Sequence, residues 1–382
     1  MDFSQIKEID NKYSIITYPR HNLCMVRSEG NCMYDTNNRA YVDFVAGLGE
    51  SCLGYKNVML SDAIKDQTDK VISFSNLYYN ELHSTLAQTI CDKTPFTKVY
   101  FCSSISDTLF ILATMVRKYC VEAKDERDTI LVVTESEGRY DTLQTRDLNL
   151  KTVRPDITEF KKALTDDVCA VMFCPIEVEQ GVRLNKYEFI LSAYALCKFK
   201  GTLVLCDETG IGLGRTGKMF AFEQYGVQPD IVLIARGMGG GIPIAAVLSR
   251  GEIATTLSPS DRINTSSISS IALATSLVVV ERLKSGMLAE VEAKGEYLIN
   301  KLSKLKKHNF IVDIRGIGLV AGIELKENLN AARVVGQMEN LGFLIDQTNR
   351  NTLRITPPFT ISEREIDSMC DALAQIFAQT NL

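Results

Sequence analysis

Short apolar runs alternate with amphipathic segments through the middle of the chain. Four runs rich in β-branched residues predict strands, at Thr129–Val133, Val168–Phe173, Thr202–Cys206 and Ile231–Ala235. Because these runs are nearly all apolar, we expect strands that are buried on both faces. Helical patterns such as Asp107–Tyr119 and Lys186–Phe199 lie between them. The alternation predicts an α/β fold with a mainly parallel sheet.

The last third of the chain has a different pattern. Helical periodicity covers Ile271–Lys284 and Met287–Lys307, and a final helix is predicted at Ser362–Gln379. Shorter elements are predicted between them, as strands at Ile311–Ile314, Gly318–Glu324, Phe343–Asp346 and Thr352–Ile355 and a helix near Asn330–Asn340. This mixture predicts a smaller α+β layer. Near the other end of the chain, Asn31–Phe44 has the pattern of two short strands around a turn.

Composition excludes several classes of function. The 382 residues carry a net charge of −5, which argues against a nucleic-acid or membrane partner. No apolar stretch approaches the ~20 residues that cross a bilayer, and no signal-peptide pattern is visible at the start. The 11 cysteines form no Cys-x-x-Cys pair and there are only 3 histidines, so we expect no metal site. Cysteines inside apolar runs predict a reducing, cytoplasmic location.

The chemistry of the chain is concentrated around two predicted strand ends. Asp207 follows the strand Thr202–Cys206, a position that lies in the ligand crevice of many α/β proteins, although a structural carboxylate is the alternative. Arg236 follows the strand that ends at Ala235 and precedes a glycine-rich turn. The run Gly212–Gly217 fits G-x-G-x-x-G, but it does not directly follow a strand, so no dinucleotide site is predicted.

The region from Leu205 to Val247 resembles the cofactor-binding block of class III aminotransferases, the acetylornithine and ornithine group. Gly214–Lys218 and Gly239–Gly241 match glycine-rich parts of that block. Arg315–Leu319 and Leu353–Pro358 are similar to landmarks near the end of the family's chains. The resemblance implies the fold of the fold-type I pyridoxal-phosphate (PLP) transferases. That fold has a large domain with a mainly parallel seven-stranded sheet and a small α+β domain.

The resemblance also implies a domain division. We expect residues 1–50 to join the small domain, residues 51–265 to form the large domain, and residues 266–382 to supply a linking helix and the C-terminal small domain. It further implies a homodimer with composite sites at the interface.

The sequence departs from the family where PLP binds. The lysine that forms the Schiff base corresponds to Arg236, whose guanidinium stays protonated and cannot form one. Asp207 matches the carboxylate that pairs with the pyridine nitrogen. In the phosphate loop Ile105 replaces a glycine, and the stacking aromatic ring corresponds to Ser136. The vestigial cofactor positions are Ser104, Ile105, Ser106, Ser136, Asp207, Gly210 and Thr265.

Other positions match the family's substrate site. Arg139 and Arg354 match arginines that receive substrate carboxylates, and Glu179 matches the acidic residue that pairs with the second of them. A structural ion pair is the alternative for each. We expect Arg236 to fill the space of the missing cofactor by pairing with Asp207.

These residues lead to one main hypothesis and two alternatives. The main hypothesis is a degenerate member of the family, with no covalently bound cofactor and only weak binding of PLP or pyridoxamine phosphate (PMP). It would act as a ligand-binding, regulatory or partner subunit for a small amino acid or dicarboxylate. Its assembly would be a homodimer or a heteromer with an active aminotransferase relative. The alternatives are an enzyme that uses PLP or PMP noncovalently, and an acetylornithine-type transaminase of arginine and ornithine metabolism that uses another lysine, of which Lys218 is the nearest.

Overall fold

The computed structural model describes residues 1–73, 75–135, 138–261, 263 and 268–379. The sequence-predicted cofactor positions Ser136 and Thr265 lie outside the described residues. The helices are α1 (Phe3–Tyr13), α2 (Val58–Lys70), α3 (Glu81–Cys91), α4 (Ile105–Glu122), α5 (Ile157–Ala163), α6 (Tyr187–Phe199), α7 (Ser270–Arg282), α8 (Leu288–Ser303), α9 (Ala331–Asn340) and α10 (Glu363–Ala378).

The strands follow the same chain order. They are β1 (Met25–Glu29), β2 (Cys32–Asp35), β3 (Ala40–Asp43), β4 (Lys98–Cys102), β5 (Thr129–Val133), β6 (Asn149–Val153), β7 (Val168–Phe173), β8 (Ile176–Glu177), β9 (Arg183–Leu184), β10 (Leu203–Asp207), β11 (Ile231–Ile234), β12 (Ala245–Ser249), β13 (Ile311–Ile317), β14 (Val320–Leu325), β15 (Phe343–Leu344), β16 (Asp346–Asn349) and β17 (Thr352–Ile355).

A seven-stranded sheet in the order β4-β12-β11-β10-β7-β5-β6 forms the centre of the molecule. The pairs from β11 to β6 are parallel, and β12 runs antiparallel to both β11 and β4. Alternate residues of β5 pack into two different hydrophobic clusters, Leu131 and Val133 into one, Ile130 and Val132 into the other. The sheet is therefore buried on both faces, and the predicted α/β fold with its apolar strands is confirmed.

Two smaller sheets are formed by strands from the first and last parts of the chain. The strands β13-β14-β17-β16 form an antiparallel sheet, and β1-β2-β3-β15 form the other. In the second sheet β15 pairs in parallel with β3, so that Phe343 lies opposite Val42. The prediction of one strand at Phe343–Asp346 is wrong, because β15 pairs with β3 whereas β16 pairs with β17 in the other sheet.

Helix α8 approaches the β13–β14 turn closely. A Cβ added at Gly295 would lie 2.3 Å from the Cα of Gly318, so the two backbones are in direct contact there. This contact holds the β13–β14 turn against α8. Among the described helices, none combines the length and apolar character that a membrane crossing requires.

Candidate ligand site at the end of the central sheet

Asp207 is the last residue of β10 and is only 1% exposed. Its Oδ1 accepts hydrogen bonds from the backbone nitrogen and the hydroxyl of Thr209, at 2.8 and 2.6 Å. Its Oδ2 accepts hydrogen bonds from Arg139 Nη2 at 3.0 Å and from the Tyr140 hydroxyl at 2.8 Å. An ionised carboxylate has about four acceptor positions. Those of Asp207 are therefore all occupied by groups of its own chain.

Arg139 and Tyr140 reach Asp207 from the segment that follows β5. Burial lowers the pKa of Arg139, but the Asp207 carboxylate outweighs that effect and the net pKa is raised. Burial, and then the Asp207 charge, raise the pKa of Tyr140 well above its usual value. Both side chains therefore stay protonated and remain hydrogen-bond donors at neutral pH.

Arg236 lies two residues beyond the end of β11 and does not contact Asp207. Its Nη1 donates to Glu179 Oε1 at 2.5 Å and to the carbonyl oxygen of Gly210 at 3.3 Å. The expected pairing of Arg236 with Asp207 is thus wrong. Arg139 already occupies the carboxylate, and Glu179 offers Arg236 a closer anion.

Glu179 links Arg236 to a second arginine. Its Oε2 accepts a hydrogen bond from Nη1 of Arg354, a residue of β17, at 2.8 Å, and Arg354 in turn pairs with Asp346. The Arg354 side chain is 4% exposed and that of Glu179 is 36% exposed. Burial raises the pKa of Glu179, but Arg354 and Arg236 outweigh it and the net pKa is below the ordinary value. The glutamate therefore stays ionised at neutral pH.

Gly210 lies between the two ion pairs. A Cβ added there would be 3.7 Å from Arg139 Nη2, and the Gly210 carbonyl accepts the bond from Arg236. The pairs Arg139–Asp207 and Arg236–Glu179 are thus neighbours in one crevice at the carboxyl end of β10 and β11. This is the edge of a parallel sheet where ligands bind in α/β proteins.

The predicted phosphate loop forms the start of α4. Ser104 is the N-cap, and its hydroxyl accepts a hydrogen bond from the Asp107 backbone nitrogen at 3.1 Å. The Asp107 carboxylate accepts one from the Ser104 backbone nitrogen, also at 3.1 Å. Ile105 and Ser106 follow in the first turn. The start of α4 is therefore closed by a reciprocal capping box between Ser104 and Asp107.

Three residues of the site were not predicted from the sequence, namely Tyr140, Thr209 and Asp346. Thr209 had a local signal, since an Asp followed two residues later by a hydrogen-bonding backbone nitrogen is an Asx-turn. Tyr140 and Asp346 had none, because their partners Asp207 and Arg354 meet them only in the folded chain.

The chain matches the family model for aminotransferase class-III over residues 15–143 and 138–377. It is 33% identical over 398 residues to the acetylornithine aminotransferase of Methanocaldococcus jannaschii, which covers 97% of this chain and 98% of that protein. Its identity to the corresponding protein of Haemophilus ducreyi is 30% over 396 residues, covering 99% and 100%.

Solved structures have the same fold. The ornithine aminotransferase of Toxoplasma gondii superimposes with a TM-score of 0.91 at 22% identity, covering 99% of this chain and 95% of that one. The N-acetylornithine aminotransferase of Stenotrophomonas maltophilia gives 0.83 at 26% identity, covering 98% and 100%. The chain therefore belongs to the class III aminotransferases, and its fold is that of the fold-type I PLP transferases, as predicted.

Proposed function

We propose that this chain is an acetylornithine/ornithine aminotransferase-like protein that has lost transaminase activity. It acts instead as a ligand-binding, regulatory or partner subunit. One observation carries the proposal: the acidic groups Asp207 and Glu179 each form an ion pair with an arginine of the same chain. Arg139 pairs with Asp207 at 3.0 Å, and Arg236 pairs with Glu179 at 2.5 Å.

As arranged, these residues do not fit bound PLP. Asp207 has no free acceptor for a pyridine nitrogen, because Arg139, Tyr140 and Thr209 use all of them. Arg236 cannot supply the neutral amine of a Schiff base. Ile105 replaces the glycine of the phosphate loop in the first turn of α4, and its branched side chain hinders the close approach of a phosphate. We therefore assign no step of transamination to this site.

The surviving arginines favour a carboxylate ligand. Glu179 bridges Arg236 and Arg354 from the partly exposed edge of the crevice, whereas the two guanidinium groups are 15% and 4% exposed. A ligand carboxylate that replaced Glu179 would meet two preformed charge-assisted donors. The ligand class that this arrangement supports is a small amino acid or a dicarboxylate.

Two observations favour a second candidate, an enzyme that holds PLP or PMP noncovalently. Asp207 is present at the end of β10, and the Arg354–Glu179 pair is formed. This candidate requires Arg139 to leave Asp207 when the cofactor binds. A transaminase that relies on Lys218 receives less support, because Lys218 is 43% exposed and pairs with Glu292 at 3.2 Å.

For assembly we propose a homodimer or a heteromer with an active relative. Several large apolar side chains are exposed to solvent in the isolated chain, among them Leu77 at 89% exposure and Tyr79 at 104%. Surfaces of this kind support association with another subunit. Light scattering of the purified protein, alone and mixed with an active relative, measures the assembly directly, and a monomer in both samples would contradict it.

The decisive experiment is a visible absorbance titration with PLP, repeated with PMP. We expect no saturable spectral change up to millimolar cofactor for the wild type. If Arg139 closes Asp207, then Arg139→Ala should bind PLP more tightly than the wild type, whereas the surface variant Arg117→Ala should not. A saturable change in the wild type without a borohydride-trappable adduct would replace this proposal with the second candidate. A trappable adduct would establish an unrecognised Schiff-base lysine.

A further inference from the structure

A cavity of about 380 Å³ has a lining that does not include Arg139, Tyr140 or Thr209, the residues that close Asp207. Its walls come from β8 and β9 on one side and from β13 and β14 on the other. Charged side chains dominate the lining, and they include Glu135, Glu177, Arg183, Lys186, Arg315 and Glu324. The cavity therefore joins the loops beside the central sheet to one of the smaller sheets.

Glu177 of β8 is a buried acid with an unsatisfied oxygen. The residue is 6% exposed, and within the described part of the chain its Oε2 has no hydrogen-bond partner. Its Oε1 accepts a long hydrogen bond from the backbone nitrogen of Glu135, at 3.3 Å. Burial raises the pKa of Glu177, and the Thr134 hydroxyl and the Glu135 amide oppose that effect only in part. A buried acceptor without a donor is costly and calls for an explanation.

The cations that line the cavity do not satisfy this oxygen: Lys186 forms no ion pair with a described residue, and the two arginines have other partners. The guanidinium of Arg315 donates instead to Glu324, at 2.5 Å, and to the carbonyl oxygen of Gly181. Arg183 is 45% exposed and stays 3.6 Å from Glu135 and 4.0 Å from Glu324, both longer than a charge-assisted hydrogen bond. Glu135 and Glu177 thus present two carboxylates to the cavity without a close cationic donor from the described residues.

We propose that this cavity binds the primary ammonium group of a small organic cation. Glu177 is the deep acceptor, and Glu135 is the acceptor at the mouth. An ammonium group carries three donors and one positive charge, so it can serve both carboxylates at once. A metal ion is a poorer match, because no group of three His, Cys, Asp or Glu side chains in the described ranges is arranged to hold one. The proposal does not depend on the function of the Asp207 crevice.

Isothermal titration of the full-length protein with putrescine, at about pH 8 where glutamate is well ionised, tests the site. Butanediol is the neutral match for the diamine. We expect one saturable site for putrescine and no heat of binding for butanediol. Glu177→Gln keeps the shape of the side chain and removes its charge, and it should weaken putrescine binding about tenfold or more. Glu327 is exposed, so the control variant Glu327→Gln should leave the affinity for putrescine unchanged.

Two results would overturn the proposal. One is the absence of saturable binding of putrescine to the wild type, and the other is equal affinity in the wild type and Glu177→Gln. If Glu177→Gln does not fold, as judged by circular dichroism, Glu135→Gln replaces it, since Glu135 is 44% exposed and tolerates substitution more readily. Unchanged affinity in that variant would count equally against the proposal.

Discussion

Arg139 Nη2 donates a hydrogen bond to Asp207 Oδ2 across 3.0 Å, at the buried end of β10. The buried Asp207 carboxylate thereby receives its counter-charge from an arginine of its own chain. Because Tyr140 and Thr209 complete the coordination, the buried charge needs no external partner. This pair is the main physical support for the proposed loss of transaminase activity.

Removal of the Arg139 side chain should destabilise the protein. Arg139→Ala leaves the 1% exposed Asp207 charge without its cation, which typically costs about 3 kcal/mol. Arg117→Ala is the matched control, because its pair with Asp147 is half exposed and contributes about 0.5 kcal/mol or less. The free energy of unfolding is measured with urea. Equal losses in the two variants would contradict a structural role for the buried pair.

Restoration of the lysine alone should not restore transamination. In Arg236→Lys the new amine is available, but Arg139 still occupies Asp207 and Ile105 still replaces the glycine of the phosphate loop. We therefore expect no turnover of ornithine or N-acetylornithine with 2-oxoglutarate, measured by glutamate formation. The double variant Arg139→Ala/Arg236→Lys is the informative comparison. Turnover in the single variant would show that the missing lysine is the whole defect and that Arg139 does not block Asp207.

Glu179 should give the stability a defined pH dependence. Burial raises the pKa of Glu179, but Arg354 and Arg236 hold it below its unfolded value, so the unfolded state binds the proton more readily. The ionised glutamate then stabilises the fold above its ordinary pKa, and this contribution is lost as the pH falls through the folded pKa.

The contribution of ionised Glu179 is tested by measuring the free energy of unfolding of the wild type and of Glu179→Gln as a function of pH. At neutral pH the variant should be less stable than the wild type, because Arg236 and Arg354 lose their shared anion. The difference in free energy of unfolding should shrink as the pH falls below about 4.3, the ordinary glutamate value. A difference that is constant with pH, or that grows in acid, would show that the ion pairs do not control the pKa.

The contact between Gly295 and Gly318 should tolerate no side chain. In Gly295→Ala the new Cβ would lie 2.3 Å from the Gly318 Cα, so α8 must move away from the β13–β14 turn. We expect a loss of about 2 kcal/mol or more, as for overpacking. Gly336→Ala in α9 is the control, because a Cβ there meets nothing within 4 Å and should stabilise the helix by up to about 1 kcal/mol. Thermal unfolding measures the stability of the two variants, and equal midpoint temperatures would exclude the close contact.

The sequence alone determined the fold class and the placement of the crevice. Strand period and apolar content are local properties, so the strands β5, β7, β10 and β11 could be located from the pattern of residues. Asp207 and Arg236 could be placed at strand ends for the same reason. The inability of Arg236 to form a Schiff base is a property of the residue itself.

Only the tertiary structure decided which cation meets which anion. Arg139 is 68 residues from Asp207 in the chain, and Arg354 is 175 residues from Glu179. From the sequence we predicted a pair between Arg236 and Asp207, whereas in the folded chain Arg236 pairs with Glu179. Ion pairing depends on distances of a few ångströms and on the competing partners within that range. Those distances follow from how the sheets pack, and no local pattern of residues contains them.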